Sequence, residues 1–243
     1  MQRRLVFRPA SLAYYVFLFL LLSLLIPYFL SPSNFIESLG ITPEVFSLFL
    51  ASSLVGSNLN IPLLNIESKV PMYTVRNVRF FGVSWRVPEV RIGVRKTLVT
   101  LNVGGAIVPV LLSLYLLFWS IPSCSPNPLE TYKNTMIVLL IVTILVNRSA
   151  RLIKGLGIAT PAFVPPFTTA LATYFVYAIS NCMCPAQIAY IGGTLGALIG
   201  ADLMNLNKLS TLGSPVVSIG GAGTFDGIYT TGIISVLLIL FLT

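Results

Sequence analysis

Six stretches of this chain are apolar over lengths that suit a bilayer better than the core of a small domain. The runs AYYVFLFLLLSLLIPYFL, LNVGGAIVPVLLSLYLLFWSI, NTMIVLLIVTILV, FVPPFTTALATYFVYAI, AQIAYIGGTLGALIGA and GIYTTGIISVLLILFLT approach or reach the roughly 20 residues that carry a helix across a membrane. A seventh run, TPEVFSLFLASSLVGSNLNIPLL, is weaker and opens on the helix-start residues Thr42, Pro43 and Glu44. Hydrophobic residues make up 56% of the 243 and charged residues only 9%, and the mean hydropathy is +0.90. That leaves too little polar surface to coat a soluble globule. The expected fold class is an all-α membrane protein of about seven transmembrane helices. Its spans fall near residues 11–30, 43–64, 98–121, 133–147, 160–180, 186–205 and 226–243 of one membrane domain, 1–243. The first run is too long for a secretory leader and lacks a small-residue cleavage site, so it reads as an anchor.

The basic residues orient this arrangement. If the spans alternate from a cytoplasmic N-terminus, the inner segments receive Arg3, Arg4 and Arg8, then Lys69, Arg76, Arg79, Arg86, Arg91, Arg95 and Lys96, then Arg148, Arg151 and Lys154, and finally Lys208. Only Lys133 falls outside, the bias that the positive-inside rule predicts. The chain is thus expected to be a multi-pass protein of the cell membrane with its C-terminus outside. The net charge of +8 is accounted for by topology and anionic lipid headgroups, so membrane lipid is the expected partner and nucleic acid is not.

The basic segment 67–96 alternates Val, Tyr, Phe, Trp and Arg around Gly82, which predicts a short cytoplasmic β-hairpin. It serves either as an amphipathic lid on the membrane face or as a strand edge for an extended peptide. Cys124, Cys182 and Cys184 fall on outer loops, where a bridge from Cys124 to either of the others can form. With no histidine and only three thiols, neither a metal site nor a cofactor is expected.

Helix-breaking motifs collect at the expected inner ends of the spans: GSNLNIP (56–62), NVGGAIVP (102–109), ATPAFVPP (159–166), GADLMN (200–205) and GGAGTFDG (220–227). Gly and Pro there let helices approach closely or unwind, and unwound backbone needs a polar or watery setting. An inward-opening cavity lined by Asn58, Asn60, Asn102, Asp202, Asn205 and Asp226 follows, with Pro161, Gly200, Gly221, Gly223 and Thr224 as further substrate- or ion-binding positions. Asn60 and Asn102 also suit plain helix capping. The chain has only two aspartates, Asp202 and Asp226. A carboxylate in a span is costly and usually has a partner, an ion or a reaction. Asp226 suits a helix start, where the dipole favours it, whereas Asp202 follows a long apolar helix near its unfavourable end. Asp202 is therefore expected to hold its proton more tightly than Asp226, the separation of roles that an acid/base pair needs.

The combination GSNLNIP, NVGGAIVP, PAFVPP, GADLMN and GGAGTFDGI resembles a family of uncharacterised multi-span prokaryotic proteins, mostly archaeal, known as a domain of unknown function. A weaker similarity is to intramembrane aspartyl proteases of the presenilin, signal-peptide-peptidase and prepilin-peptidase type. Gly200 to Asp202 is similar to their GxGD, Phe225 and Asp226 to their aromatic-Asp pair, and Pro161 with Ala162 to their PAL segment. Ala201 stands where those enzymes carry glycine, and the motifs run in a different order. That resemblance implies a catalytic pair, Asp202 and Asp226, acting on membrane-embedded peptides. Two rival expectations remain: an ion- or proton-coupled carrier or channel using Asp202 and a re-entrant loop over 218–227, and a non-catalytic scaffold.

Overall fold

Proline and asparagine punctuate the chain into helices that reverse direction. Residues 32–81, 83–153, 157–180, 183–211, 216–221 and 227–243 are described by the structure, a computed structural model. The expected first span (11–30), Gly82, Cys182, Gly223, Thr224 and Asp226 lie outside the described residues. A short helix, α1 (Pro32–Leu39), turns at Gly40, whose φ of 63° is left-handed and whose missing side chain admits Ser120 Oγ. Thr42 Oγ1 then caps α2 (Pro43–Gly56), accepting from Val45 N. After the hairpin strands β1 (Asn60–Phe80) and β2 (Val83–Asn102) come α3 (Val103–Cys124) and α4 (Pro128–Ser149). A small antiparallel pair, β3 (Arg151–Ile153) and β4 (Gly157–Ala159), leads to α5 (Val164–Ser180). The chain ends with α6 (Pro185–Leu209), β5 (Val216–Ile219) and α7 (Gly227–Leu242).

Contacts between helix ends show that these helices alternate in direction. Ser120, late in α3, donates to Leu39 O just before α2 starts (2.6 Å), while Gly104, early in α3, packs on Gly56 at the end of α2. Asn134, early in α4, donates to Ser180 at the end of α5 (2.9 Å), and Asn147, late in α4, reaches Gly200 O in the second half of α6 (2.9 Å). One end of the bundle thus carries the Cys124–Cys184 disulfide and the other carries the strands.

The radial distribution of polarity is inverted relative to a soluble protein. On α4 the buried face is Thr131, Asn134, Thr135, Val138, Val142, Thr143 and Val146, while Ile137, Leu140, Ile141, Ile144 and Leu145 are exposed. Leu111, Phe118, Phe175 and Ile179 are exposed likewise on α3 and α5. Some buried hydroxyls donate to the preceding turn, as when Thr135 donates to Thr131 O and Thr169 to Pro165 O. Apolar outer faces of this extent identify lipid as the surrounding medium.

Among the described residues three helices, α3, α4 and α6, are long and apolar enough to cross a membrane, and a fourth candidate is the pair α1 and α2, bent by 98°. Six of the seven expected spans fall on described residues, so the seven-span count is not met on length and composition. α2 stops at Gly56 rather than running to residue 64, and α3 starts at Val103 rather than 98. The cause is the hairpin, which is far from short. Its strands have 21 and 20 residues, pair from Asn60↔Asn102 to Phe80↔Val83, and reach about 65 Å at 3.3 Å per residue. Asn60, Ile61 and Pro62 at one end, and Leu98 to Asn102 at the other, are apolar enough to read as span but form strand, because periodicity alone does not separate a short apolar strand from a helix. β5 adds a parallel third strand against Leu98–Leu101, so the fold is not all-α.

At the opposite end the structure resolves the cysteine alternatives: Cys124 pairs with Cys184, Cα atoms 6.1 Å apart and 60 residues apart in sequence. Cys124→Ser and Cys184→Ser are each expected to lower stability by about 2–4 kcal/mol, and the double variant no further, in denaturant unfolding of the detergent-solubilised protein. An equal loss for Cys182→Ser would contradict this pairing.

Candidate functional site

Glycine spacing on α6 sets the geometry around Asp202. Gly192 and Gly196 lie against Val138 and Val142 of α4, Gly200 lies against the backbone of Thr143, and Gly193 faces Thr169 of α5 and Ser235 of α7. A Cβ at Gly192, Gly196 or Gly200 would collide with these neighbours and one at Gly193 would crowd them, so the helices approach closely because the side chains are absent. Beyond Ala197 the α-helix opens into a π-turn, Leu198–Asp202, and then tightens into 3-10 turns, Leu203–Thr211. π-turns leave carbonyls poorly served by their own helix and recur at functional sites. Here two asparagines serve them. Asn147 Nδ2 donates to Gly200 O, and Asn205 Nδ2 donates to both Gly200 O (3.2 Å) and Ala201 O (2.8 Å). Lys208 Nζ donates in turn to Asn205 Oδ1 (2.7 Å). The helix therefore does not end at GADLMN, as the sequence suggests; it changes type there, and Asp202 is the last residue of the π-turn.

Asp202 is half-buried and lines two cavities. The larger, about 250 Å³, lies between α5, α6 and α7 and is lined also by Thr160, Ala162, Gly227 and Thr230. The smaller, about 90 Å³, is lined also by Leu206, Ser218 and Gly220 beside β5. Ile158 of β4 borders both. Three of the sequence motifs converge here: GAD through Asp202, PAF through Ala162, and FDG through Gly227, the residue that follows Asp226.

The other predicted positions divide. Asn102 Oδ1 caps the π-turn that opens α3, accepting from Gly105 N (2.8 Å), while its Nδ2 donates to Ser57 O (2.8 Å) and Asn60 Oδ1 (3.2 Å). Ser218 Oγ donates to that same Asn60 Oδ1 (2.7 Å), tying the root of the hairpin to β5 and the smaller cavity. Gly221 packs against Ser218. Asn60, Asn102 and Asn205 are thus structural ties near the site and do not line either cavity. Gly200 contributes a carbonyl rather than a wall. Asn58 is exposed in the turn after α2, and Pro161 is exposed while its neighbours Thr160 and Ala162 line the cavity. Of the asparagines and aspartates expected to line one cavity, Asp202 alone among the described residues lines these two cavities, which meet at it. Sequence reasoning missed Asn147, Ser218 and Thr230; only the position of Asn147 directly after the apolar run ILV marked it.

The shared carbonyl makes the two asparagines interdependent. Asn205→Leu strips the side-chain donor from Ala201 O and is expected to cost about 1–3 kcal/mol, whereas Asn147→Leu costs less because Asn205 still serves Gly200 O. The double variant should lose more than the sum in unfolding experiments, and simple additivity would show that Gly200 O is not the common acceptor.

No curated protein and no solved structure matches the chain. Over residues 54–238, most of its length, it matches the family described as "Protein of unknown function (DUF1614)". That stretch contains all the motifs from NVGGAIVP to GGAGTFDG, the strands, and the whole of the Asp202 site, and the chain belongs to this family.

Proposed function

We propose that the protein is an intramembrane aspartyl hydrolase that cleaves membrane-embedded peptides with Asp202 and Asp226. One observation carries this reading: Asp202, Ala162 of the PAF motif and Gly227, which directly follows Asp226, line one cavity within a lipid-facing bundle. A carboxylate takes a proton from water, and the water oxygen attacks the scissile carbonyl. The partner carboxylic acid donates its proton to the carbonyl oxygen, and collapse of the tetrahedral intermediate returns a proton to the departing amine. The helix changes type at Asp202, and the residue lines two cavities, the kind of open space that this chemistry requires.

The membrane arrangement belongs to the same reading. The bent pair α1–α2 and the helices α3 to α7 alternate in direction as six passes, and the apolar run 11–30 is the seventh that the sequence leads one to expect. Arg148, Arg151, Lys208 and the basic hairpin residues lie at the strand end, and Lys133 alone among the described basic residues lies toward the disulfide end. The strand end, with Asp202, is then cytoplasmic, the N-terminus is cytoplasmic and the C-terminus outside. In the rival carrier reading the unwound carbonyls of 198–202 hold a cation, but Leu198 O and Ile199 O already accept from Leu203 N, and Gly200 O and Ala201 O from asparagine.

Asp202→Asn and Asp226→Asn, each reconstituted in liposomes with a fluorogenic single-span peptide, should each reduce cleavage at least a thousandfold, with the double variant no worse. Retention of cleavage by either single variant rules out the pair. Cleavage absent from the wild type, together with an Asp202-dependent proton flux, would favour the carrier.

A further inference from the structure

The hairpin leaves the bundle a short way from its root. Val99 and Leu209 share a buried cluster on which Ile66 packs, and β5 braces β2 only over Leu98–Leu101. Farther out, every described side chain from Val75 to Pro88 is exposed. Strand register sorts these residues, because side chains alternate between the two faces of a ribbon. The neighbouring pairs Val78↔Trp85 and Arg76↔Val87 share one face, and Arg79↔Ser84 and Asn77↔Arg86 share the other. Phe81 leads in the turn, 89% exposed, with a left-handed φ of 50° that asparagine or glycine would adopt at less cost.

Two properties of this tip constrain what covers it. Val78, Trp85 and Val87 are exposed neighbours on one face of a ribbon that is marginal in water, and grouped apolar side chains of this kind mark an interaction surface. Between Val75 and Pro88 stand three arginines, Arg76, Arg79 and Arg86, and no acidic residue. Span orientation does not demand them there: Arg79 lies more than roughly 20 residues along the chain from both α2 and α3, past the range over which flanking charge acts. The occupant is therefore anionic and able to bury aliphatic and aromatic side chains. A second copy brings the same positive tip, a nucleic acid brings phosphates but no cover for Val78 and Val87, and an acidic peptide brings charge with little apolar surface. An anionic bilayer supplies headgroup phosphates for the arginines and an acyl boundary for the rings.

We propose that the hairpin tip docks into the anionic lipid surface of the membrane that holds the bundle, with Phe81 and Trp85 at the acyl boundary and Arg76, Arg79 and Arg86 among the headgroup phosphates. From Phe81 back to Val78 the ribbon runs about 10 Å at 3.3 Å per residue, the depth to which interfacial elements sink their apolar side chains. Long arginine stems reach back from there to the headgroups. Both strands are tied to embedded helices, so this surface lies within the hairpin's reach at a local concentration that a separate membrane does not match. The register shift between Pro62 and Leu64 supplies the kind of irregularity at which a ribbon bends. The docking is independent of Asp202 and of the hydrolase reading.

Trp85 reports on the tip once Trp119, the other tryptophan of the two, is replaced by Phe. The full chain, one copy per nanodisc, is compared in brominated phosphatidylglycerol and brominated phosphatidylcholine. Trp85 emission is expected to be blue-shifted, quenched by bromine and shielded from acrylamide in phosphatidylglycerol alone, with the effect reversed by high salt. Arg76→Gln, Arg79→Gln and Arg86→Gln together should reduce the quenching at least about fivefold, whereas Arg76→Lys, Arg79→Lys and Arg86→Lys together retain it. Phe81→Ser, which leaves the charge intact, should also weaken it, separating insertion from mere attraction. Equal quenching in both lipids, or acrylamide access unchanged by phosphatidylglycerol, overturns the proposal. So does quenching that appears only when separate brominated vesicles are added, which assigns the tip to another membrane. Shielding by poly-glutamate in phosphatidylcholine discs that phosphatidylglycerol does not provide overturns it in favour of an acidic peptide.

Discussion

Close approach between α6 and its neighbours is the constraint on which the rest of the bundle depends. Within lipid there is no hydrophobic force to press helices together, so contact must come from packing and hydrogen bonds. Gly192, Gly196 and Gly200 form one seam against α4, and Gly193 opens the opposite side to α5 and α7. With both sides of α6 stripped of side chains, four helices meet around one axis. Ser235 on α7 can then donate to Ala189 O across the interface (3.2 Å), and Asn147 can reach Gly200 O. A larger residue at Gly200 would push α4 away and remove the donor that serves the π-turn. The packing seam and the polar site are consequences of one spacing.

At the strand end, irregular backbone is repaired by specific side chains. Gly104 lies so close to Gly56 that a side chain at either would strike the other helix, and Ser53 Oγ donates to Gly104 O (2.8 Å) across the gap. Asn102 does the work of a cap and of a cross-link at once, joining the end of α2, the start of β1 and the first turn of α3. Asn205 does the same for the π-turn that carries Asp202. In an apolar medium such carbonyls cannot turn to water, so side-chain amides must be built in beside them. This explains why the asparagines that stand out in the sequence prove to be ties rather than cavity walls.

How much of this was legible follows from the same physics. The lipid setting was plain from apolar run lengths, and the gathering of the Gly, Pro and Asn motifs at one end was plain from their spacing along alternating spans. The capping role of Asn102 was legible too, since Asn before a glycine-rich helix start has few other uses. Hidden from the sequence was the extent of the hairpin, because Leu98 to Leu101 and Ile61 to Leu64 are as apolar as a helix end and only pairing across the chain reveals them as strand. Also hidden was the choice between Cys182 and Cys184, two residues apart and equivalent by spacing. The π-turn left no sequence mark beyond Gly200 itself.

The hairpin root and the Asp202 cavities share one framework of strand pairing and hydrogen bonds. Leu98–Leu101 pair with β5, Ser218 of β5 donates to Asn60 at the first pair of the hairpin, and Ser218 and Gly220 line the smaller cavity beside Asp202. Gly220, with a φ of 68°, packs on Gly105 and Ala106 in the first turn of α3, so the strand, the cavity and that helix start share one contact. Beyond the reach of β5 the hairpin is only two strands wide, and an isolated pair of that kind is marginal in water. Val75, Val78, Trp85 and Val87 stay exposed on it, with Phe81 89% exposed in its turn. This lever has an apolar, basic tip, and at its root β2 runs straight into the first turn of α3 at Asn102 while Ser218 of β5 is tied to Asn60, so the helix start and the cavity wall meet the hairpin together. The Asn60, Asn102 and Ser218 hydrogen bonds hold that lever to the bundle at its root, where, among the described residues, a two-stranded ribbon has no other strand to brace it than β5.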